Sequence, residues 1–595
     1  MKNAKQITMF FVILAMGFCS TNIYSSTQVV PIVAADGVVP ERVELKQGWS
    51  PEIRDRFWFT SQGSRILPYV WFMWLEQADS SELFRNVEHM DSLRYLPMNS
   101  SQRNPAGLPI GFALDKDKKS GDAWLGLTCA ACHTNQVDYK GTSMLIEGAP
   151  TLANFVKFFS ELINALDKTN QDDAKFTRFA EKVLGDQNSL SSAKKLREQL
   201  ATVTFDLAQR QAVNDLPPDY PSDFTSYARL DAFGNIQNAA SAFALHDIAN
   251  KTAPTAPVSY PFLWGTHQSD VVQWNGSAPN TPIIGPLVRN MGEVVGVFGS
   301  LDINEQPWWS WKRWFGDKIK YSSTVNMRNL GKLELWVKQL RSPNWSDTNL
   351  PPVDMAKAAN GSVIYKEQCA SCHQVIPQDK QDEKYKAVLT PIDKIGTDPA
   401  MAVNSDNLAK TLILEGTKSG ILFGDKFSDT APAVQLAVNG VIGLVLKDPL
   451  KALEAGLIPE KGKKDTSFNM DDGVKEYINK RNAKKQTPDE NTLVYKARPL
   501  NGIWATAPYL HNGSVPSLWE LLKKPEERAT EFWVGSREFD PVNVGFITNE
   551  GLSNFSVNKA GTNTIQPGNS NQGHTYGTDL TEEQKWSVIE YMKTL

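Results

Sequence analysis

Apolar residues recur at helical spacing in several stretches of this chain. Between Leu152 and Leu166, Phe155, Phe158, Phe159, Leu162 and Ile163 fall on one side of a 3.6-residue period, which predicts an amphipathic helix. Leu190 to Leu207 repeats the period with a more solvated face. Met355 to Cys372 predicts another helix, with Val363, Ile364 and Tyr365 on its way. Near the end, Thr581-Glu582-Glu583-Gln584 has the pattern of a capping box, and Trp586, Ile589, Met592 and Leu595 follow at three-residue spacing. Loops rich in Gly, Asn and Pro separate these pieces, notably Asn275 to Pro286 and Asn558 to Gly577. Pro459 to Lys464 and Lys475 to Lys485 read as solvated surface. Ser342-Pro343-Asn344 and Pro351-Pro352 break the helical pattern and place a boundary between Arg341 and Asp354. The fold class expected is mainly α, with long loops and few short β-strands.

Composition changes this picture little. The chain has 595 residues, enough for two domains, and a formal net charge of -4 that carries no nucleic-acid signal. Its 17 tryptophans are many. The start changes it more. Lys2 and Lys5 precede an apolar run from Ile7 to Phe18 that is too short to span a bilayer, so residues 1–35 read as a secretory signal peptide. Val33-Ala34-Ala35 has the small-residue pattern of a cleavage site. Cys19 invites a lipoprotein reading, but Phe18 precedes it where a small residue is expected. No later segment reads as a transmembrane anchor.

Four of the five cysteines stand in two copies of one motif, Cys129-Ala130-Ala131-Cys132-His133 and Cys369-Ala370-Ser371-Cys372-His373. A thiol three residues after a thiol, with histidine next, is the spacing of a c-type haem attachment site. On one helical turn each thiol can form a thioether to a vinyl group, and the histidine lies under the ring as proximal iron ligand. A chance Cys and His at these offsets is roughly a one-in-ten-thousand event per cysteine, and here it occurs twice. A zinc site would need its ligands to converge on one ion and leaves the shared trailing His unexplained. The expected cofactors are two covalently bound haem c groups, held by Cys129, Cys132, Cys369 and Cys372, with His133 and His373 on iron. The motifs lie 240 residues apart. That spacing predicts one haem in each of two cytochrome c-like domains, 36–345 and 346–595. Covalent haem attachment outside the cytoplasm agrees with the signal and predicts a periplasmic or secreted bacterial protein.

Five of the seven histidines remain for a sixth ligand: His89, His246, His267, His511 and His574. His574 stands in Asn571-Gln572-Gly573-His574-Thr575-Tyr576-Gly577, just before the final helix, where a loop can fold over an open haem face. It is the candidate for the haem of Cys369 and Cys372. His511, in the dense turn Thr506-Ala507-Pro508-Tyr509-Leu510-His511-Asn512-Gly513-Ser514, is its rival. Trp504 upstream of that turn reads as a core tryptophan or a conduit between haems. No distal ligand stands out for the first haem; His246 and His267 are candidates by location. Gln273-Trp274-Asn275-Gly276 through Gly299, with Arg289, Asn290, Val297 and Phe298, can supply a pocket wall.

The motif pair, the Thr506–Ser514 turn and the late loop together resemble the dihaem cytochrome c peroxidase superfamily, across the second half and the region around Cys129. In that family the first haem is the reactive centre and the second relays electrons, with Met as its sixth ligand. Here no Met lies between Gly551 and Tyr591. That departure, and the wide gap between motifs, make the chain more similar to the rubber-oxygenase branch and its dihaem fatty-acid dioxygenase relatives. The resemblance implies dioxygen chemistry above His133 and a second haem held by His373 and His574. It also implies a distal phenylalanine, for which Phe298 is the candidate.

Three functions follow as expectations. The first is a dioxygenase that binds O2 at the N-terminal haem and oxygenates an unsaturated lipid or isoprenoid. The second is a peroxidase-type enzyme using H2O2, which needs a distal acid/base group and electrons from the second haem, supplied by a redox partner protein. The third is a non-catalytic electron-transfer cytochrome, which needs a protein ligand on both irons.

Overall fold

The computed structural model describes residues 37–221, 224–280, 284–314, 318–421, 424–456 and 493–595. The signal segment, Cys19 and the two lysine-rich surface stretches fall outside those residues, as do 281–283 of the loop from Asn275 to Pro286.

Nine helices of nine or more residues carry the described fold: α1 (Pro51–Phe59), α2 (Phe155–Gln171), α3 (Asp173–Leu184), α4 (Leu190–Val213), α5 (Ile284–Gly296), α6 (Met327–Gln339), α7 (Met355–Gln368), α8 (Ala433–Lys447) and α9 (Glu582–Lys593). The strands are short and pair in twos and threes. Six reach five residues: β1 (Phe112–Lys116), β2 (Ala123–Leu127), β3 (Thr134–Tyr139), β4 (Thr142–Glu147), β5 (Leu301–Glu305) and β6 (Ile319–Ser323).

The helix α2 begins where Asn154 accepts the backbone N–H of Lys157 at 3.0 Å. It buries Phe155, Phe158, Phe159, Leu162 and Leu166 on one face. Asp172 ends it and caps α3, accepting from Ala174 and Lys175. At the other end of the chain the Thr581–Gln584 capping box forms in both directions and starts α9. The terminal helix lies across α7, where Tyr365 and Tyr591 meet edge to face with ring centres 5.2 Å apart.

Two cores support the motifs. An aromatic one lies under the first, where Tyr95 meets Phe112 at 4.9 Å and Phe158 at 5.2 Å, each such pair being worth ~0.5–1.5 kcal/mol beyond its buried area. The larger core draws on both halves of the chain: Trp58, Val137 and Trp264 share it with Tyr365, Trp504 and Ile589. The segment between α6 and α7 therefore does not separate two independent cores. Its Trp345 is buried and packs edge on against Trp504 at 5.4 Å.

Candidate functional site: two Cys-x-x-Cys-His motifs in unlike surroundings

The first motif is a short 3-10 turn between β2 and β3, started by Thr128, whose hydroxyl accepts from Ala130 N–H. Gly111, with φ +86°, lets the turn before β1 press against the backbone of Ala131; a side chain there would collide with it. The second motif has another origin. It ends α7, with Cys369 at the helix C-cap.

Both histidines are held alike. His133 donates its Nδ1–H to Pro261 O at 2.8 Å, and His373 donates its own to Arg498 O at 2.7 Å. This leaves each Nε2 unprotonated and aimed away from the clamp, the state an iron ligand needs. Burial lowers both imidazole pKa values, His133 to about 4, which also keeps them neutral. The two clamps are joined. Arg498 donates Nη2–H to Phe262 O at 3.0 Å and to Trp264 O at 3.3 Å, and its guanidinium stacks on the Phe262 ring at 3.3 Å. Phe262 follows Pro261 directly, so one arginine bridges the segments that orient both histidines.

Around the second motif a cavity of about 200 Å3 is lined by Cys369, Cys372, His373, Tyr495, His511 and His574 among others. The rings of His373 and His574 face each other across it with centres 6.2 Å apart. Two imidazoles that share one metal at bonds of about 2 Å put their ring centres roughly 6 Å apart, so the pair fits a haem iron between them. His574 reaches this place in a left-handed conformation, φ +48°, on a loop tied down from several sides. Gly573 packs on the backbone of Gly396, where a side chain at 573 would collide, and His574 N–H bonds Ile395 O at 2.8 Å. Arg528 donates to the carbonyls of Asn571, Gly573 and His574. The Thr506–Ser514 turn holds the same loop: Asn512 and Ser514 both donate to Ser570 O, at 2.9 and 2.8 Å.

His511 lines this cavity but stacks on Tyr495 at 4.1 Å instead of facing His373. Trp504 is wholly buried against Trp345 and Phe539, its indole donating to Pro343 O at 3.1 Å.

The first motif has other neighbours. Cys129 and Cys132 are packed so that burial pushes both thiols up to about 12, with the Glu293 charge acting the same way. Tyr260 meets His133 edge on at 6.3 Å. Phe298 is buried in the aromatic core that includes Tyr260, Ala131 and Phe155, with Cys132 packed against it. It lies 5.0 Å from Phe159 and under the guanidinium of Arg210 at 4.7 Å. Its φ of +62° is costly for a bulky residue and marks a position the surroundings impose. No other histidine pairs with His133 among the described residues. His89 is bound to Phe84 O and Glu161, His246 is exposed, and His267 is buried with Asp382 3.7 Å away. His246 and His267 therefore do not supply the distal ligand expected by location.

Glu293 on α5 is a site residue that sequence reasoning did not identify. Burial raises its carboxyl pKa, opposed by Arg289 and by a bond from Gln273 at 3.2 Å. Arg289 in turn pairs with Glu334 at 2.7 Å. Pro261, Arg498 and Arg528 were also missed: two act through backbone carbonyls, which leave no trace in residue type. Among the described residues no three His, Cys, Asp or Glu side chains converge on a point that could hold a single metal ion.

A family model described as RoxA-like, cytochrome c-like matches residues 494–534, which carry Arg498, Trp504, the Thr506–Ser514 turn and Arg528. That segment implies haem c and the chemistry of a haem oxidoreductase. The uncharacterized protein y4iJ of Sinorhizobium fredii (strain NBRC 101917 / NGR234) is 31% identical over 617 residues, covering 93% of each chain. A second protein of that strain, y4iM, is 24% identical over 56% of this chain and 63% of its own.

Proposed function

The chain belongs to the same family as y4iJ, and from that premise we propose that it is an exported dihaem c-type oxidoreductase that adds dioxygen to an unsaturated hydrophobic substrate. The observation that carries this reading is the inequality of the two motifs: His373 has an imidazole facing it at 6.2 Å, whereas the ring beside His133 is that of Tyr260.

When bound above His133, the haem would supply an iron centre open to dioxygen. The protein's own part follows from the side chains. Pro261 O keeps the His133 ring in one tautomer and orientation. Phe298, Phe155, Phe159 and Tyr260 line an apolar, water-poor neighbourhood suited to a double bond. Adding both oxygen atoms to the substrate needs no net electrons. Under this reading His373 and His574 would hold the second haem, which would supply electron transfer and no substrate site.

A second reading rests on Glu293. A buried carboxyl with a raised pKa beside Cys129 and Cys132 could move a proton in peroxide cleavage, with two electrons entering through the His373 site. Turnover under 18O2 with an unsaturated fatty acid and with polyisoprene separates the two. Incorporation of both labelled atoms without a reductant is expected. Peroxide consumption that needs a reduced cytochrome, and stops in Glu293→Gln, would overturn it.

A further inference from the structure

The hairpin β5–β6 carries Trp308, Trp309, Trp311 and Trp314 at its tip, 75, 71, 68 and 81% exposed. The stem explains why the tip projects. Leu301, Ile303 and Tyr321 alternate into the core, Leu301 and Tyr321 packing on Gly440 and Gly443 of α8. Polar contacts tie together the described residues 305–314 of the tip. Trp314 Nε1–H donates to Trp308 O at 3.2 Å, and Arg313 bonds Glu305 at 2.9 Å and Gln306 O at 2.8 Å. Four indoles this exposed lie outside the buried core.

Lysines gather on the β6 side of the stem, while β5 carries Asp302 and Glu305, the latter paired with Arg313. Lys318 and Lys320 are exposed on the β6 side. Lys119, in the turn between β1 and β2, and Lys320 lie close enough to Lys447 at the end of α8 to lower its pKa, after the larger effect of burial. Asp448 and Lys451 pair with each other beside them. A chain whose net charge is -4 thus places a group of lysines behind a tryptophan tip.

We infer that this hairpin docks the protein on an anionic lipid bilayer, the indoles entering the headgroup boundary and the lysines meeting lipid phosphates. Indole is amphipathic and concentrates at the membrane–water interface, and Lys beside it adds attraction to anionic headgroups. The hairpin begins three residues after Phe298, and its five strand residues at about 3.3 Å each span roughly 17 Å from Leu301 to the tip. Docking would thus hold the first motif near a source of apolar substrate. The surface stands apart from the oxygenation chemistry and is tested without turnover.

The test uses the haem-loaded full chain in flotation with vesicles of phosphatidylglycerol and phosphatidylethanolamine, and of phosphatidylcholine alone. Binding to the anionic vesicles is expected, with quenching of tryptophan emission by brominated lipid. The variant W308A/W309A/W314A should lose at least about tenfold in partitioning with an unchanged Soret band. The variant K119S/K320S/K447S should lose binding to anionic vesicles and its salt dependence. Wild-type protein that stays unbound with all vesicles, or a tryptophan variant that binds as wild type, would overturn the inference. So would binding to a lipid-free polyisoprene emulsion in preference to both vesicles, or capture of a soluble protein by the hairpin with no lipid binding.

Discussion

The motif at Cys129 turns tightly between two strands, and the motif at Cys369 closes a helix of 14 residues. Around the first the chain packs Tyr95, Tyr260, Phe298 and a buried Glu293; across from the second it folds a strapped loop that delivers His574. The proximal sides are nevertheless the same, each histidine donating to a backbone carbonyl. The difference teaches that the attachment motif specifies how haem is held and says nothing about what occupies its other face. The side chains gathered near each motif come from far along the chain: Phe298 is 165 residues from His133, and His574 is 201 from His373.

The largest test of this inequality is His133→Ala. Oxygen uptake should fall at least about 100-fold while the low-spin resonance of the second site persists; equal damage to both spectra would erase the distinction. His574→Ala should come next. It should convert the second site from a low-spin, two-imidazole spectrum to a high-spin one and change oxygen uptake by less than about tenfold. His511→Ala should leave that spectrum intact, because its ring stacks on Tyr495.

Arg498→Gln sharpens the comparison from the side the sites share. Losing the bonds to Phe262 O and Trp264 O should shift the potentials of both centres by on the order of tens of millivolts, with Arg498→Lys restoring part of the shift. A shift at one centre alone would show that the bridge does not couple the clamps.

The smallest effect is acid sensitivity. Burial lowers the His511 pKa to about 3, so below the unfolded value near 6.5 the unfolded chain binds a proton that the folded chain does not. Its contribution to stability is present above that pH and is lost as pH falls towards about 3. His511→Phe should flatten the stability curve over this range by about one proton, ~1.4 kcal/mol per pH unit, measured by denaturant unfolding from pH 6.5 to 4.

Much of the helical framework was legible locally. The apolar face of α2, the start of α4 and the Thr581 capping box depend on residues within one or two turns, and each forms as spacing predicts. The strands were less so, because pairs of two to five residues owe their existence to partners elsewhere in the chain. The clear break between α6 and α7 also misled in part. Proline marks where a helix stops, but cannot show that Trp345 in the same segment packs on Trp504.

By itself the sequence determined the two Cys-x-x-Cys-His motifs, whose thiols and imidazole need only one turn of backbone to come together. The tertiary structure decided how His574 comes to face His373, through a loop held by Arg528, Gly396 and Asn512. It also brought the Glu293 charge to bear on Cys129 and linked Phe262, next to Pro261, to His373 through Arg498. Those choices depend on carbonyl positions, glycine contacts such as Gly573 on Gly396, and burial, none of which a local pattern encodes.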